Sequence, residues 1–420
     1  MKLEIGEKIE VECLELDYKA DGVAKYGDYF VIVKDFIIGE KALVQVEKIK
    51  EKIVNASIVE FTKTSESRKY TFDLNCIPMI NVDFNNQLRW QYHVTKRTLT
   101  KVLKKDLTVF ECITDYNELH YRNKVVFHVL PNKHITVGLY NFNNDKLVRT
   151  DDFILANENV NKLLLALNES QIIVDYKLLR HVVFRNDLEN NLLVTLVSER
   201  NQFLGLIELT DFFKKFDFIK GLTLNIKDNE YVIIGRKSKV LLGKNELKIG
   251  QLFIDDRSFL QVNYGVSKMV FDIIKENIFG SRIVDAYSGV GTIGYHILDN
   301  SKNITMIESS FQNTFFAKKI REVNNYNNVE IISEKTENEI DKIECDTLIV
   351  DPPRNGLNRF IIERLVNKPI PRLIYLSCDL QTLARDLKTL TDVYEIDKVY
   401  PIKMFPQTNS IETLIILSQK

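Results

Sequence analysis

The chain has 420 residues, room for two or three domains. With 45% hydrophobic and 27% charged residues it is neither a mostly disordered nor a collagen-like chain, and it has no apolar run long enough for a membrane span. The net charge of −1 argues mildly against a polyanion partner, but only if the 57 Lys and Arg and the 58 Asp and Glu are spread evenly.

The first residues, MKLEIGEKIEVECLEL, carry acids throughout and no apolar core, so no secretory signal is expected. Residues 4–61 contain short Val- and Ile-rich runs (IEVECLEL, YFVIVK, KALVQVEKI, VNASIVEF) separated by turns at Asp21-Gly22 and Gly27-Asp28. This spacing predicts a small, OB-like β-barrel, either an RNA-binding module or a plain scaffold. Its 9 Lys and Arg in residues 1–60 stand against 13 Asp and Glu.

The next segment reverses the charge. Residues 89–105 (RWQYHVTKRTLTKVLKK) hold six basic residues and no acid: Arg89, Lys96, Arg97, Lys101, Lys104 and Lys105. Arg97, Lys101, Lys104 and Lys105 share one helical face, which suits phosphate contacts or simple solvation. Val94, Val102 and Leu103 are expected to pack inward. The stretch beyond, with NKVVFHVL, KHITVGLY and NNLLVTLVSE, reads as a β-rich module. Residues 235–250 add five basic residues and one acid. The near-zero total therefore conceals opposite parts, and RNA is not excluded.

From residue 251 strand and helix candidates alternate, which predicts a mostly parallel sheet covered on both faces. Ligands of such sheets bind beyond the carboxyl ends of the strands. After IVDAYS comes Gly289-Val-Gly291-Thr-Ile-Gly294, and Glu308 ends the following strand. Glycines permit close backbone approach, and a carboxylate at this distance suits a ribose. NAD and S-adenosylmethionine fit this pattern equally; Asp285 inclines it toward the second, a cationic ligand without pyrophosphate. Tyr287 offers a ring beside the ligand, or a packed aromatic.

Three further residues carry candidate chemistry. Asp351 opens the rigid elbow Asp351-Pro352-Pro353-Arg354. Cys378 ends RLIYLSC ahead of a helix, a setting expected to lower a thiol pKa and supply thiolate. Glu412 opens the last apolar strand and suits a buried base. The remaining cysteines, Cys13, Cys76, Cys112 and Cys345, read as structural. Five scattered cysteines form no disulfide framework and indicate a reducing cytoplasm.

Taken together, FLQVNYGV (259–266), DAYSGVGTIG (285–294), Glu308, DPPRNGL (351–357), LSCDLQTLARDL (376–387) and MFPQTNSIET (404–413) resemble the RNA 5-methyluridine methyltransferases. The type is the 23S rRNA (uracil-5-)-methyltransferase with an N-terminal TRAM barrel, and the resemblance is weakest from about 120 to 245. It implies an α/β, Rossmann-like S-adenosylmethionine-dependent domain with a seven-stranded sheet, formed by residues 89–119 and 249–420. The barrel would be 1–61, and 62–88 with 120–248 a central RNA-binding domain. Gln261, Tyr287, Glu308 and Asp351, with Asp285, Gly289 and Gly291, would bind the cofactor. Cys378 would add to uracil C6, Glu412 would remove the C5 proton, and Asp351 would help hold the base. Arg89, Lys96, Arg97, Lys101, Lys104 and Lys105 would meet RNA, and 23S rRNA is the expected substrate with tRNA second. A cytoplasmic monomer with no membrane partner is expected.

Three departures stand out. A four-cysteine iron–sulfur site is common in the family, whereas Cys76 stands nearly alone, so no cluster and no metal are expected. Cys378 is followed by Asp379 and Leu380 where Asn and Pro are usual, and Ser410 replaces a His. An NAD-linked oxidoreductase would leave DPPR, Cys378 and the barrel unexplained, and a non-catalytic RNA binder would leave Cys378 and Glu412 unexplained.

Overall fold

The computed structural model describes residues 2–70, 76–141 and 145–420. Strands β1 (Lys8–Leu16), β2 (Gly22–Tyr26), β3 (Tyr29–Val33), β4 (Lys41–Lys50) and β5 (Ile53–Lys63) close into a barrel in the order β1-β2-β3-β5-β4. Alternation explains it: Ile9, Val11 and Cys13 point inward, while Lys8, Glu10 and Glu12 point out. Gly22 is required there, since a Cβ would stand 2.2 Å from the Phe36 carbonyl oxygen.

Helix α1 (Phe84–Leu103) begins ahead of the basic run, because the Asp83 side chain accepts the Asn86 N–H and caps it. Its apolar stripe of Trp90, Val94 and Leu99 joins one continuous core with the barrel interior and one face of the C-terminal sheet. The amphipathic expectation holds for Val94, which is buried, and for Val102 and Leu103, which are partly so.

The central module is a seven-stranded sheet in the order β12-β11-β10-β9-β6-β7-β8. It comprises β6 (Lys124–Val129), β7 (Val137–Tyr140), β8 (Leu147–Arg149), β9 (Leu179–Asn186), β10 (Leu192–Ser198), β11 (Ile219–Ile226) and β12 (Lys237–Gly243). Helices α2 (Glu158–Glu169) and α3 (Leu206–Phe213) pack into its separate core. A short hairpin, β13 (Leu247–Ile249) and β14 (Leu252–Ile254), follows.

The C-terminal unit runs through α4 (Tyr264–Glu276), β15 (Arg282–Ala286), α5 (Thr292–Ile297), β16 (Asn303–Ile307), α6 (Phe311–Val323), β17 (Val329–Ile332) and α7 (Thr336–Glu339). It continues through β18 (Thr347–Val350), α8 (Arg359–Asn367), β19 (Arg372–Ser377), α9 (Leu380–Leu390), β20 (Tyr394–Ile402) and β21 (Glu412–Gln419). The sheet order is β17-β16-β15-β18-β19-β21-β20, with six strands running in one direction and β21 alone antiparallel to its neighbours β19 and β20. This is the expected mostly parallel α/β sheet. β18 and the inner part of β19 are buried on both faces, so they read as unbroken apolar runs. Chain order reverses between β15 and β18, which opens a crevice beyond their carboxyl ends. Among the described residues no helix is long and apolar enough to cross a membrane.

Candidate active site

A cleft of 1180 Å³ lies at that switch point. Its walls include Gln261, Tyr287, Gly289, Glu308, Asp351, Cys378 and Glu412, of which the first and last stand 151 positions apart in sequence. The antiparallel β21 explains the meeting of the last two. Ser377 pairs with Thr413, so the next rung of the same register sets Cys378 opposite Glu412. A residue that begins an antiparallel strand stands where the parallel strands end.

Glu412 is buried, and its Oε2 has no hydrogen-bond partner among the described residues. Burial, and the charge of Asp351, push its carboxyl up to about 8. Burial likewise raises Asp351 to about 7, against one hydrogen bond from Gln261 Nε2 at 3.3 Å. The strand carrying Glu412 is anchored by helix α1: Gln91 Nε2 donates to the Ile402 carbonyl at 2.6 Å and more weakly to that of Glu412 at 3.4 Å. One turn earlier, Gln87 exchanges hydrogen bonds with Gln407 in the loop between β20 and β21.

Cys378 is half-buried at the bottom of the cleft. The expectation of a lowered thiol pKa is corrected here. Burial raises it to about 11, and Glu412 and Asp351 raise it further than Arg354 lowers it. Position ahead of a helix does not outweigh two acids facing the sulfur. The Asp379 carboxylate caps α9, accepting the Thr382 N–H at 2.8 Å. Asp at this place thus does the work of a helix cap.

The elbow of Asp351 is held by α9 as well. Asp386, fully buried, accepts the Leu357 N–H at 2.9 Å and the Tyr375 hydroxyl at 2.8 Å. Arg385 donates to the Asn355 carbonyl, and Thr382 to that of Arg354. The helix that follows the thiol therefore fixes the loop that follows the carboxylate.

At the other end of the cleft, Glu308 accepts the Gly289 N–H at 2.9 Å and the Ser310 N–H at 2.6 Å. Tyr287 has φ +61° and donates its hydroxyl to Glu337. Gly291, at φ +88°, starts α5 and does not line the cleft. Asp285 does not line it either: it is fully buried beneath the glycine turn, accepts the Gly294 N–H, and is raised to about 7 by burial and by Asp351 and Glu308. Its Oδ1 is unpartnered among the described residues. Glu308, Glu337, Asp351, Asp379 and Glu412 outnumber the two cations of the cleft wall, Lys335 and Arg354, which favours a positively charged ligand.

The six basic residues part company. Arg89 and Arg97 line a second groove of 480 Å³, between α1 and the barrel residues Glu15, Leu16 and Ile38. Val94 lines both groove and cleft, so the two adjoin. Lys101 and Lys104 are exposed, with Lys104 at the left-handed C-cap. Lys96 lies 3.5 Å from Asp106, and Lys105 pairs with Glu395, so these two are already partly neutralised. Sequence reasoning did not reach Tyr18, Phe259, Asn409 or Arg354 as cleft residues. Phe259 and Arg354 sat inside the quoted motifs, whereas Tyr18 carried no local signal.

The other four cysteines are free, lie outside the cleft, and have thiols raised by burial. Among the described residues no three His, Cys, Asp or Glu gather to hold a metal; residues 71–75, beside Cys76, lie outside the described set.

Comparison with known proteins agrees with this geometry. A family model for tRNA (uracil-5-)-methyltransferases matches residues 83–420. An uncharacterized RNA methyltransferase of Caldanaerobacter subterraneus is 30% identical over all of this chain and 99% of its own. One of Oceanobacillus iheyensis is 30% identical over 97% of this chain and 95% of its own. The crystal structure of Pyrococcus abyssi tRNA (uracil-54, C5)-methyltransferase in complex with S-adenosyl-L-homocysteine superposes with a TM-score of 0.76 at 22% identity. It covers 97% of this chain and 99% of that one, which shows a shared fold.

Proposed function

Because the chain belongs to the tRNA (uracil-5-)-methyltransferase family, we propose that its cleft converts a uridine of RNA to 5-methyluridine through Cys378 and Glu412. It is an S-adenosylmethionine-dependent RNA methyltransferase. The observation that carries the residue roles is that Cys378 and Glu412 line one cleft, each one residue beyond the Ser377–Thr413 pair of the β19–β21 register.

The residues present fit the cofactor. Glu308 at the end of β16 suits its ribose, and the acids around Asp351 suit its cationic groups. Gln261, Tyr287, Glu308, Asp351 and Gly289 would hold it, with Asp285 and Gly291 shaping the turn from beneath. When bound it supplies an electrophilic methyl group.

The protein's task is to make uracil C5 nucleophilic. The Cys378 thiolate adds to C6, which pushes electron density onto C5. After methylation, Glu412 as carboxylate takes the C5 proton, the C5–C6 double bond reforms, and the thiolate leaves. Asp351 helps hold the base, and Gln261 donates to its carboxylate. A stacked base does not reach Cys378, so the target is unpaired or flipped out.

We take 23S rRNA as the substrate because the motifs resemble the rRNA-modifying type; the barrel does not decide between the two RNAs, since the tRNA enzyme matches 97% of this chain. A tRNA substrate is the second reading, favoured by the full-length match to an enzyme described as acting on tRNA. Deleting the gene and mapping 5-methyluridine in both RNAs tests this. Loss from 23S rRNA is expected, loss from tRNA would exchange the two readings, and loss from neither would end both. Cys378→Ala is expected to abolish methyl transfer and any covalent adduct with 5-fluorouridine RNA. Glu412→Gln is expected to let a covalent RNA complex accumulate.

A further inference from the structure

We propose that Tyr18, in the barrel loop between β1 and β2, stacks on a nucleobase next to the target uridine. This rests on the uracil-methylation reading above. The barrel is acidic, yet it supplies a wall of the cleft: Tyr18 lines the same cavity as Cys378 and Glu412.

The loop that carries the ring is built to stay in place. Asp17 closes it internally, accepting the N–H of Lys19 at 2.7 Å and of Asp21 at 2.9 Å. Two bonds fasten it to the rest of the molecule. The Trp90 indole N–H of α1 donates to the Asp17 carbonyl at 2.6 Å, and Asn409 Nδ2 donates to the Lys19 carbonyl at 2.8 Å. Asn409 itself lines the cleft, three residues before Glu412. The residues on both sides of Tyr18 are thus tied to catalytic-domain elements.

The ring itself is not tied. Tyr18 is 54% exposed. No hydrogen bond of its hydroxyl is found among the described residues. Among the described residues its ring contact is the Lys19 ammonium, 5.6 Å from the ring centroid. A rigid, exposed ring beside a cation suits a base with its phosphate. The depth of the cleft selects which base. Glu412 is buried, whereas Tyr18 stands half in solvent, so its partner is a neighbour that stays outside when the target enters.

Stacking predicts a dependence on the ring and not on the hydroxyl. The test uses the full-length protein, labelled S-adenosylmethionine, and unmodified transcripts of 23S rRNA and tRNA. On the transcript that the wild type methylates, Tyr18→Leu and Tyr18→Ala are expected to raise KM for RNA about ten-fold while kcat changes by less than about two-fold. Tyr18→Phe is expected to keep the wild-type KM. S-adenosylmethionine affinity, measured by calorimetry, is expected to be the same in all four proteins. Wild-type KM in Tyr18→Leu overturns the proposal, as does a fall in kcat alone. A Phe variant as impaired as the Leu variant also overturns it, since the hydroxyl would then be the contact. Failure of the wild type on both transcripts would instead refute the methylation reading and take this one with it.

Discussion

Cys378 and Glu412 stand on the same rung of the β19–β21 ladder, one step past the Ser377–Thr413 pair. The proposed nucleophile and base therefore share a register, and each one's charge bears on the other. Burial first, and then the Glu412 carboxylate, push the thiol up to about 11.

Removing that carboxylate's charge is expected to free the thiol. At pH 9, Glu412→Gln should speed alkylation of Cys378 by iodoacetamide about three-fold or more. Peptide mapping would follow the site, and the other four cysteines, all with raised thiols, serve as internal controls. An unchanged rate would mean that burial alone holds the proton.

The same substitution should stabilise the fold at alkaline pH. Glu412 is raised to about 8 in the folded state, above its ordinary carboxyl value of 4.5. The folded form thus holds its proton more tightly, and the stability gained is present in acid and lost as pH rises from about 4.5 toward 8. Glu412→Gln keeps a neutral side chain throughout. It should unfold in urea about 1–3 kcal/mol later than the wild type at pH 8, with the difference shrinking toward pH 5.

Asp386 is predicted to matter for catalysis although it does not line the cleft. Its carboxylate holds the Leu357 N–H and the Tyr375 hydroxyl, beneath Gly356 at φ +73°. Asp386→Ala leaves both donors buried and unpaired, a cost of about 2–4 kcal/mol in urea unfolding. The loop of Asp351 would then loosen, so kcat should drop at least about ten-fold with the variant still folded.

Salt dependence separates the basic residues. Arg97 and Lys101 have no acidic partner among the described residues, whereas Lys105 already pairs with Glu395. Arg97→Ala and Lys101→Ala should each weaken RNA binding and reduce the slope of log affinity against log salt by about 1. Lys105→Ala should change the slope by about half that or less. Filter binding at several salt concentrations measures both.

Much of the C-terminal unit was readable because its strands are buried on both faces. Runs such as TLIV and RLIYLS announce themselves, and the residue that ends each run is a candidate by position alone. Glu412 was readable as a strand opener, but its meeting with Cys378 depends on β21 entering antiparallel, which no spacing reveals. The thiol's pKa went the wrong way for the same reason. The helix behind Cys378 is local and visible, while the burial that raises the thiol, and the acids that add to it, come from chain folded in from elsewhere. Helix α1 was read from residue 89, where the charges begin, although Asp83 caps it earlier. Tyr18 was invisible: a tyrosine in a barrel turn gains meaning only from the Trp90 and Asn409 bonds that dock the turn.

Trp90 is the chain's single tryptophan. Its indole bridges α1 to the barrel through Asp17, and the ammonium of the fully buried Lys403 stands 5.7 Å from its ring. The protein thus carries one native fluorophore at the seam where barrel, helix and catalytic sheet meet. Its emission colour reports whether water has entered that seam, so the docking of the barrel on the rest of the chain can be followed during unfolding without attaching a label.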